Sequence, residues 1–360
     1  MKVKKMSLCI VILISLLFLA ACGTQDVEAE TDPYSTTAGS FDPPALVGFV
    51  DESGTTLINI KDFDENESKQ LSELINIQRQ IAIFSVEGNV EYSNDFSGSI
   101  VEIYHGRVNF SFADGRLIEN IAGIIADPPD VAITQVYYDA LRFLSQGERV
   151  MVVVLDGWGW EMYHYFAEKQ PFLANLENVQ KAHSVFPPFT PVAMSSILTG
   201  TLPNIHGVHD RSTRIMAVPD LFQRATDLGF TSTRIQGGVN IVQTSTMSTL
   251  IPNLGDAHVT DQRVFDVAMA HIVDTDLLFI HFNAIDDWAH NYGPYSPQAG
   301  ESIAFLDSLI GQLVEARGGV TIVTADHGQH FLGQLDRMGD HLWISHEDMF
   351  VPYIIIKEGR

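Results

Sequence analysis

The stretch VMVVVLDGWGW, Val150–Trp160, decides the fold. Its apolar residues follow one another without polar alternation up to Asp156, which describes a strand buried on both faces, and such strands belong to parallel sheets. Related runs recur as DLLFIHF (276–282), GGVTIVTAD (318–326) and FVPYIII (350–356). Between them the apolar spacing takes a helical period over Glu161–Glu168, Pro191–Leu198, Asp220–Leu228, Gln262–Val273 and Pro297–Ala316. The alternation predicts an α/β sandwich over residues 148–360, a mostly parallel central sheet with helices on both faces. Ligands of such sheets sit beyond the carboxyl ends of the strands, so the chemistry should collect just after each apolar run.

Acids and histidines do collect there. Asp156 closes the first run. Asp286 and His290 follow the second in FNAIDDWAHNYGP (282–294), at an i, i+4 spacing that brings both to one side of a helix. Asp326 and His327 close the third in TADHGQH (324–330), and His341, in GDHLWISHEDMFVP (339–352), precedes the last. Singly each is ordinary, because Asp-Gly is a common turn and a lone histidine is commonly a satisfied polar residue. Their recurrence at successive strand ends singles them out. A hydroxyl joins them from FPPFTPVAMSSILTGTLPNIHGV (186–208). Proline favours the first helical position, so Pro191 places Thr190 at the N-cap of a helix. There unpaired amides and the helix dipole favour an alkoxide or a phosphate.

The amino-terminal end has a different texture. Lys2, Lys4 and Lys5 precede an apolar run from Leu8 to Ala20, too short for a comfortable membrane span and laid out as a secretory signal. It ends in Leu19-Ala20-Ala21-Cys22, which resembles a bacterial lipobox. Residues 1–21 therefore read as a lipoprotein signal peptide, Cys22 as the lipidation site, and the polar, acidic residues 22–45 as a flexible tether. This predicts an extracytoplasmic protein, lipid-anchored to a bacterial membrane. Cys9 and Cys22 are the only cysteines, so the mature chain has no disulfide and no cysteine metal site. Any metal must then rest on histidine and carboxylate ligands. The formal charge of −24 argues against binding a nucleic acid polymer through a broad basic face, but not against a small phosphorylated substrate.

Residues 46–147 carry short β-rich runs (VGFV, TTLINI, IAIFSV, SIVEIYH, VNFSF) and two helical pieces, near 66–80 and 134–145. No catalytic constellation and no internal repeat is visible there. The region reads as a small α+β module of unknown role.

From about Arg149 onward the chain resembles the alkaline phosphatase superfamily, most closely its type I phosphodiesterase/nucleotide pyrophosphatase branch. The resemblance is carried by Thr190 with Thr199, Gly200, Pro203, His206-Gly207 and Asp210 at the family's spacing, and by DDWAHNYGP and TADHG. It implies an alkaline-phosphatase-like sandwich with two divalent metal ions, zinc first and manganese as the alternative. One ion would be held by Asp156, Thr190, Asp326 and His327, the other by Asp286, His290 and a final histidine. For that histidine His341 is preferred over His346, because it lies eleven residues before Pro352, as in members with an EDM-VP-like run. Twenty-one residues after Thr190, where the branch has an asparagine, stands Arg211. A guanidinium suits a dianionic terminal phosphate better than a monoanionic diester. Two divalent ions against three aspartates leave such a site positive, more so with Arg211, so an anionic phosphoryl group is attracted locally.

The expected activity is metal-dependent hydrolysis of a phosphomonoester or phosphodiester, with Thr190 as nucleophile through a phosphothreonine and Arg211 assisting. Two alternatives stand beside it: a phosphotransferase acting on lipid head groups or cell-surface glycans, and a non-catalytic metal- or ligand-binding lipoprotein. Trp158, Trp160, Tyr163 and Tyr165, beside Asp156, read as core more than as pocket lining. His183, His206, His209, His258, His281 and His330 take no role from the sequence.

Overall fold

The computed structural model describes residues 46–62 and 67–357. The expected signal peptide, Cys22 and the tether lie outside the described residues. Among the described residues no helix is long and apolar enough to cross a membrane.

Val150–Leu155 is fully buried and lies within an eight-stranded sheet. The strand order is Val131–Ala132, Gln180–His183, Phe350–Lys357, Val320–Thr324, Val150–Leu155, Leu277–Phe282, Ser232–Gly237, Ser248–Ile251. Val150–Leu155 pairs in parallel with both neighbours, and each buried aliphatic side chain stabilises the core by about 1.5–3 kcal/mol. The fold is the expected α/β sandwich with a mostly parallel sheet. Phe350–Lys357 departs from the pattern, running antiparallel to both of its partners. An apolar run looks the same in either direction, so the sequence could not signal this. The reversal matters for the site, because the start of this strand lies at the edge where the parallel strands end. The segment from His341 onward is thereby delivered to the same edge as Asp156.

Most helices of the sandwich fall near where the apolar period puts them, the one expected over Glu161–Glu168 being α-helical only from Trp160 to Tyr165, and several begin at side-chain caps. Asp220 accepts from the Gln223 amide to begin Leu221–Asp227, and Ser296 accepts from the Ala299 amide to begin Pro297–Arg317. The helix expected from Gln262 begins earlier, at Ala257, because Asp256 caps it through the Val259 amide.

The amino-terminal module consists of a five-stranded sheet, Gly54–Asn59, Leu46–Asp51, Ile121–Ala126, Ile81–Ser85 and Val90–Ser93, and a four-stranded sheet, Ser68–Gln70, Ile100–Tyr104, Arg107–Ser111 and Leu117–Ile118. Of the helical piece expected near 66–80 only Leu71–Leu74 is helical. Ile75 is extended and buried, and Ile77 packs beside it, so their apolar groups serve the module's core instead of a helix face. The second piece is Gln135–Ser145, and Val136, Ala140, Phe143 and Leu144 bury its apolar face against the large sheet.

Module and sandwich meet tightly. A β-carbon on Gly48 would collide with the Ile344 carbonyl, and one on Gly123 would collide with the Gly48 carbonyl. Val50, Ala82, Phe84, Ala122 and Ile125 share one apolar cluster with Phe186, Ile344, Met349 and Phe350.

Candidate active site

Thr190 is the first residue of the helix Thr190–Thr199, one position later than the N-cap expected for it. Phe189 takes the cap position, its carbonyl accepting from the amides of Val192 and Ala193. The Thr190 hydroxyl makes no capping bond and turns instead to the strand ends. Its Oγ1 lies 3.4 Å from Asp156 Oδ1 and 3.2 Å from His327 Nε2. The remainder of the motif shapes the helix exit. Gly200 adopts φ 67° as the helix ends, and a side chain there would run into Tyr137 and Tyr138. Thr199 Oγ1 bonds the Ser195 carbonyl at 2.7 Å, and Asp210 caps a turn through the Ser212 amide at 2.7 Å.

Around Thr190 the strand-end residues form two groups. Asp156, Asp326 and His327 make one, and Asp286, His290 and His341 the other, each with one donor atom per residue within 4.8 Å of the rest. The two adjoin, since the rings of His327 and His341 stack with centroids 4.0 Å apart. Asp286 and His290 share a face of the helix Ala284–Tyr292, 3.3 Å apart. His346, the competing histidine, lies elsewhere: its Nε2 meets the Asp51 carbonyl and its amide meets Thr55 Oγ1 at 2.9 Å.

The donor set fits divalent cations. His327 Nδ1 bonds the Gly328 carbonyl at 3.0 Å, His290 Nδ1 that of Gly339 at 2.8 Å, and His341 Nδ1 that of Pro188 at 2.9 Å. A carbonyl only accepts, so in each ring Nδ1 carries the proton and Nε2 keeps a lone pair, which in His327 meets the Thr190 hydroxyl and in His290 the Arg337 guanidinium. Asp326 Oδ1 accepts from the amides of Gly157 and His327, while its Oδ2 is buried without a hydrogen bond. The positive φ of Gly157, 73°, lets the turn after Asp156 present that amide.

The electrostatics also call for cations. Burial, then repulsion from Asp326 and Asp286, raises the Asp156 carboxyl well above its usual range. Burial likewise raises Asp326, with Asp286 adding to the effect and His327 opposing it. For Asp286 burial acts upward, but His290, His341 and His327 together hold it below the ordinary value. Burial and the neighbouring His327 push His341 well below the usual histidine range. Asp156 and Asp326, buried acids that resist ionisation, are in the state a bound cation would relieve.

Arg211 is exposed, its guanidinium carbon 5.0 Å from the Phe189 ring centroid, and that ring stacks on His341 at 5.9 Å. Of the aromatic cluster, Trp158 and Tyr163 are core while Tyr165 is 64% exposed, so the core reading holds for only part of it.

Three neighbours of the site escaped the sequence reading. His281 is wholly buried on Leu277–Phe282 with Nε2 3.3 Å from Asp156 Oδ2. Gln329 donates to Asp286 Oδ1 at 2.5 Å. Arg337 brings Nη2 to 3.2 Å from His290 Nε2. A histidine inside an otherwise apolar strand was the one available signal, and it pointed to His281. Of the other histidines, His330 is tied to Asp348 at 2.8 Å and His183 to Tyr92 at 2.8 Å.

No curated protein sequence matches the chain. Among solved structures it is similar to phosphonoacetate hydrolase from Sinorhizobium meliloti 1021 in complex with phosphonoformate, at 20% identity and a TM-score of 0.43, over 51% of this chain and 57% of that one. It is also similar to murine ectonucleotide pyrophosphatase/phosphodiesterase 5, at 20% identity and a TM-score of 0.41, over 51% of this chain and 58% of that one. The chain thus spans less than two thirds of the length of either. The family profile described as type I phosphodiesterase / nucleotide pyrophosphatase matches residues 150–250 and 244–349, more than half of the 360 residues. Those segments contain Asp156, Thr190, both acid–histidine groups and the strands that carry them, and the chain belongs to the type I phosphodiesterase / nucleotide pyrophosphatase family.

Proposed function

We propose that this family member is a divalent-metal-dependent phosphoric ester hydrolase with Thr190 as its nucleophile. The observation that carries the proposal is the aim of the Thr190 hydroxyl, away from any capping bond and toward Asp156 and His327. Asp156, Asp326, His327 and the Thr190 oxygen would hold one ion, and Asp286, His290 and His341 the other. When bound, the two ions would supply Lewis acidity, favouring the ionised hydroxyl and offsetting charge on the phosphoryl oxygens. The residues of the chain do the remainder. The start of the buried helix fixes Thr190, so its oxygen attacks phosphorus as the bond to the leaving oxygen breaks, forming phosphothreonine. Water then cleaves the new P–O bond and returns the hydroxyl. Two inversions give net retention at phosphorus. Arg211, on the Phe189–His341 side, contributes a fixed positive charge toward the phosphoryl group.

The proposal includes zinc as the first metal to try and manganese as the second, since aspartate–histidine sets accept both. It also includes the lipid anchor at Cys22 and an extracytoplasmic location. Metal-loaded protein is expected to release p-nitrophenol from p-nitrophenyl phosphate or its bis ester, and release from neither with zinc or manganese would refute the catalytic reading. Faster transfer to an added alcohol than to water would shift it to a phosphotransferase. Lipid labelling of the full chain, lost in Cys22→Ser, tests the anchor.

A further inference from the structure

The hairpin of His330–Gln334 and Arg337–Asp340 leaves the sheet edge just after His327 and lies against the helix Ala284–Tyr292. The approach is close: a β-carbon on Gly339 would press on the Ala289 carbonyl and on Gln329 Oε1, and the Gly339 carbonyl receives His290 Nδ1. Arg337 stands two residues earlier on the same strand and so on the same face. Its Nη2 reaches to 3.2 Å from His290 Nε2, the ring nitrogen turned toward the carboxylates, and 2.9 Å from Asp340 Oδ1. The Asp340 oxygen is shared with the His341 amide at 2.9 Å, and Arg337 Nε is buried without a partner.

These contacts leave the guanidinium with donors to spare beside a group suited to a cation. Arg337 donates to the His290 Nε2 lone pair, so a cation taken up by His290 would claim that lone pair and leave the guanidinium beside it in need of an anion. Asp340 serves in part, but the oxygen that meets Arg337 already takes the His341 amide. A phosphoryl oxygen meets the remaining requirement, since a planar fork of N–H donors matches it and charge-assisted bonds of this kind are strong. Arg211 flanks the same half of the site through Phe189.

We infer that Arg337 is a substrate-binding residue that takes a phosphoryl oxygen on the Asp286–His290–His341 side and, with Arg211, selects a dianionic phosphomonoester over a monoanionic diester. The inference rests on the proposed phosphoryl-transfer function and deepens it, since it names the substrate class.

The test uses the full chain loaded with zinc, as wild type, Arg337→Gln and Arg337→Lys. Metal content, calorimetric binding of inorganic phosphate, and kcat/KM for p-nitrophenyl phosphate and its bis ester are measured on each. Arg337→Gln is expected to keep wild-type metal content, to weaken phosphate binding by about 10- to 100-fold, and to lower the monoester-to-diester ratio of kcat/KM by about tenfold or more. Arg337→Lys should recover part of both losses. Unchanged phosphate binding, equal losses on the two esters, or loss of metal in both variants would overturn the assignment. A wild-type protein that cleaves neither ester refutes the hydrolase reading instead, and the phosphate titrations still decide whether Arg337 binds the anion.

Discussion

His281 Nε2 lies 3.3 Å from Asp156 Oδ2, while Oδ1 of the same carboxylate faces the Thr190 hydroxyl at 3.4 Å. Neither ring nitrogen of His281 has a hydrogen-bond partner, and burial followed by the charge of Arg234 pushes its pKa down to about 3, so the ring is neutral. A neutral ring at that position can steady Asp156 without adding charge. His281→Leu is expected to weaken metal retention by about 10- to 100-fold, as losses of such supporting groups do. The apolar replacement removes two unmet polar atoms, so the melting temperature should hold or rise. Metal titration and a thermal melt on the same sample check the pair of outcomes. A lower melting temperature with normal metal binding would contradict the role.

Thr190→Ala should lower turnover by about a thousandfold or more, since it removes the proposed nucleophile. Stability should change little, because the Phe189 carbonyl, and not the Thr190 side chain, begins the helix. Thr190→Ser keeps the hydroxyl and should retain measurable turnover. Mass spectrometry of acid-quenched turnover mixtures should find phosphate on Thr190 in the wild type and on no peptide of the alanine variant.

Asp261 holds the helix that carries Asp286 and His290. Its buried carboxyl group, whose pKa burial raises to about 8, accepts from the Asn283 amide at 3.0 Å and the Ala284 amide at 2.8 Å. Asp261→Ala strands both amides and should cost about 1–3 kcal/mol of stability. The second effect is specific: with cobalt as a spectroscopic probe, one equivalent should bind nearly as in the wild type and the other about tenfold more weakly. Two equally weakened equivalents would mean a general loss of structure.

Acid should weaken the fold through His206. Its Nδ1 accepts from the Val208 amide at 3.1 Å and its Nε2 meets Ser196 Oγ at 2.9 Å, an arrangement that requires the neutral ring. Burial, with His209 adding to it, pushes the pKa down to about 3 from 6.5. The unfolded chain therefore takes up a proton as pH falls below 6.5 while the folded chain resists until about 3, and stability is lost across that window. Between pH 7 and pH 5 the contribution is about 2 kcal/mol. Denaturant titrations at the two pH values should differ by that much more in the wild type than in His206→Gln.

The parallel core and most of the site were legible because buried strands and their terminal acids write a pattern into the chain. Val150–Leu155 could hardly be anything but a central strand, and Asp286 and His290 share a helix face by spacing alone. What stayed hidden depended on partners distant in sequence. The antiparallel course of Phe350–Lys357 leaves no mark on an apolar run. Arg337 lies on a hairpin with no motif and acquires meaning only where Gly339 lets the hairpin settle on the helix. The helix expected near 66–80 failed because Ile75 and Ile77 had a nearer core to fill. Thr190 stands one residue inside the cap position expected for it, a shift that separates a hydroxyl bonded to its own helix from one directed across the sheet.

Glycine at positions 48 and 123 lets two strands of the amino-terminal module press their backbones onto Ile344, three residues after His341. The module thus acts as a splint for the loop that presents the last histidine. Cutting the chain between the two parts to obtain a smaller enzyme would strip that loop of its backing. Even an extra methyl group at Gly48 would push on Ile344 and so be felt at the loop that carries His341.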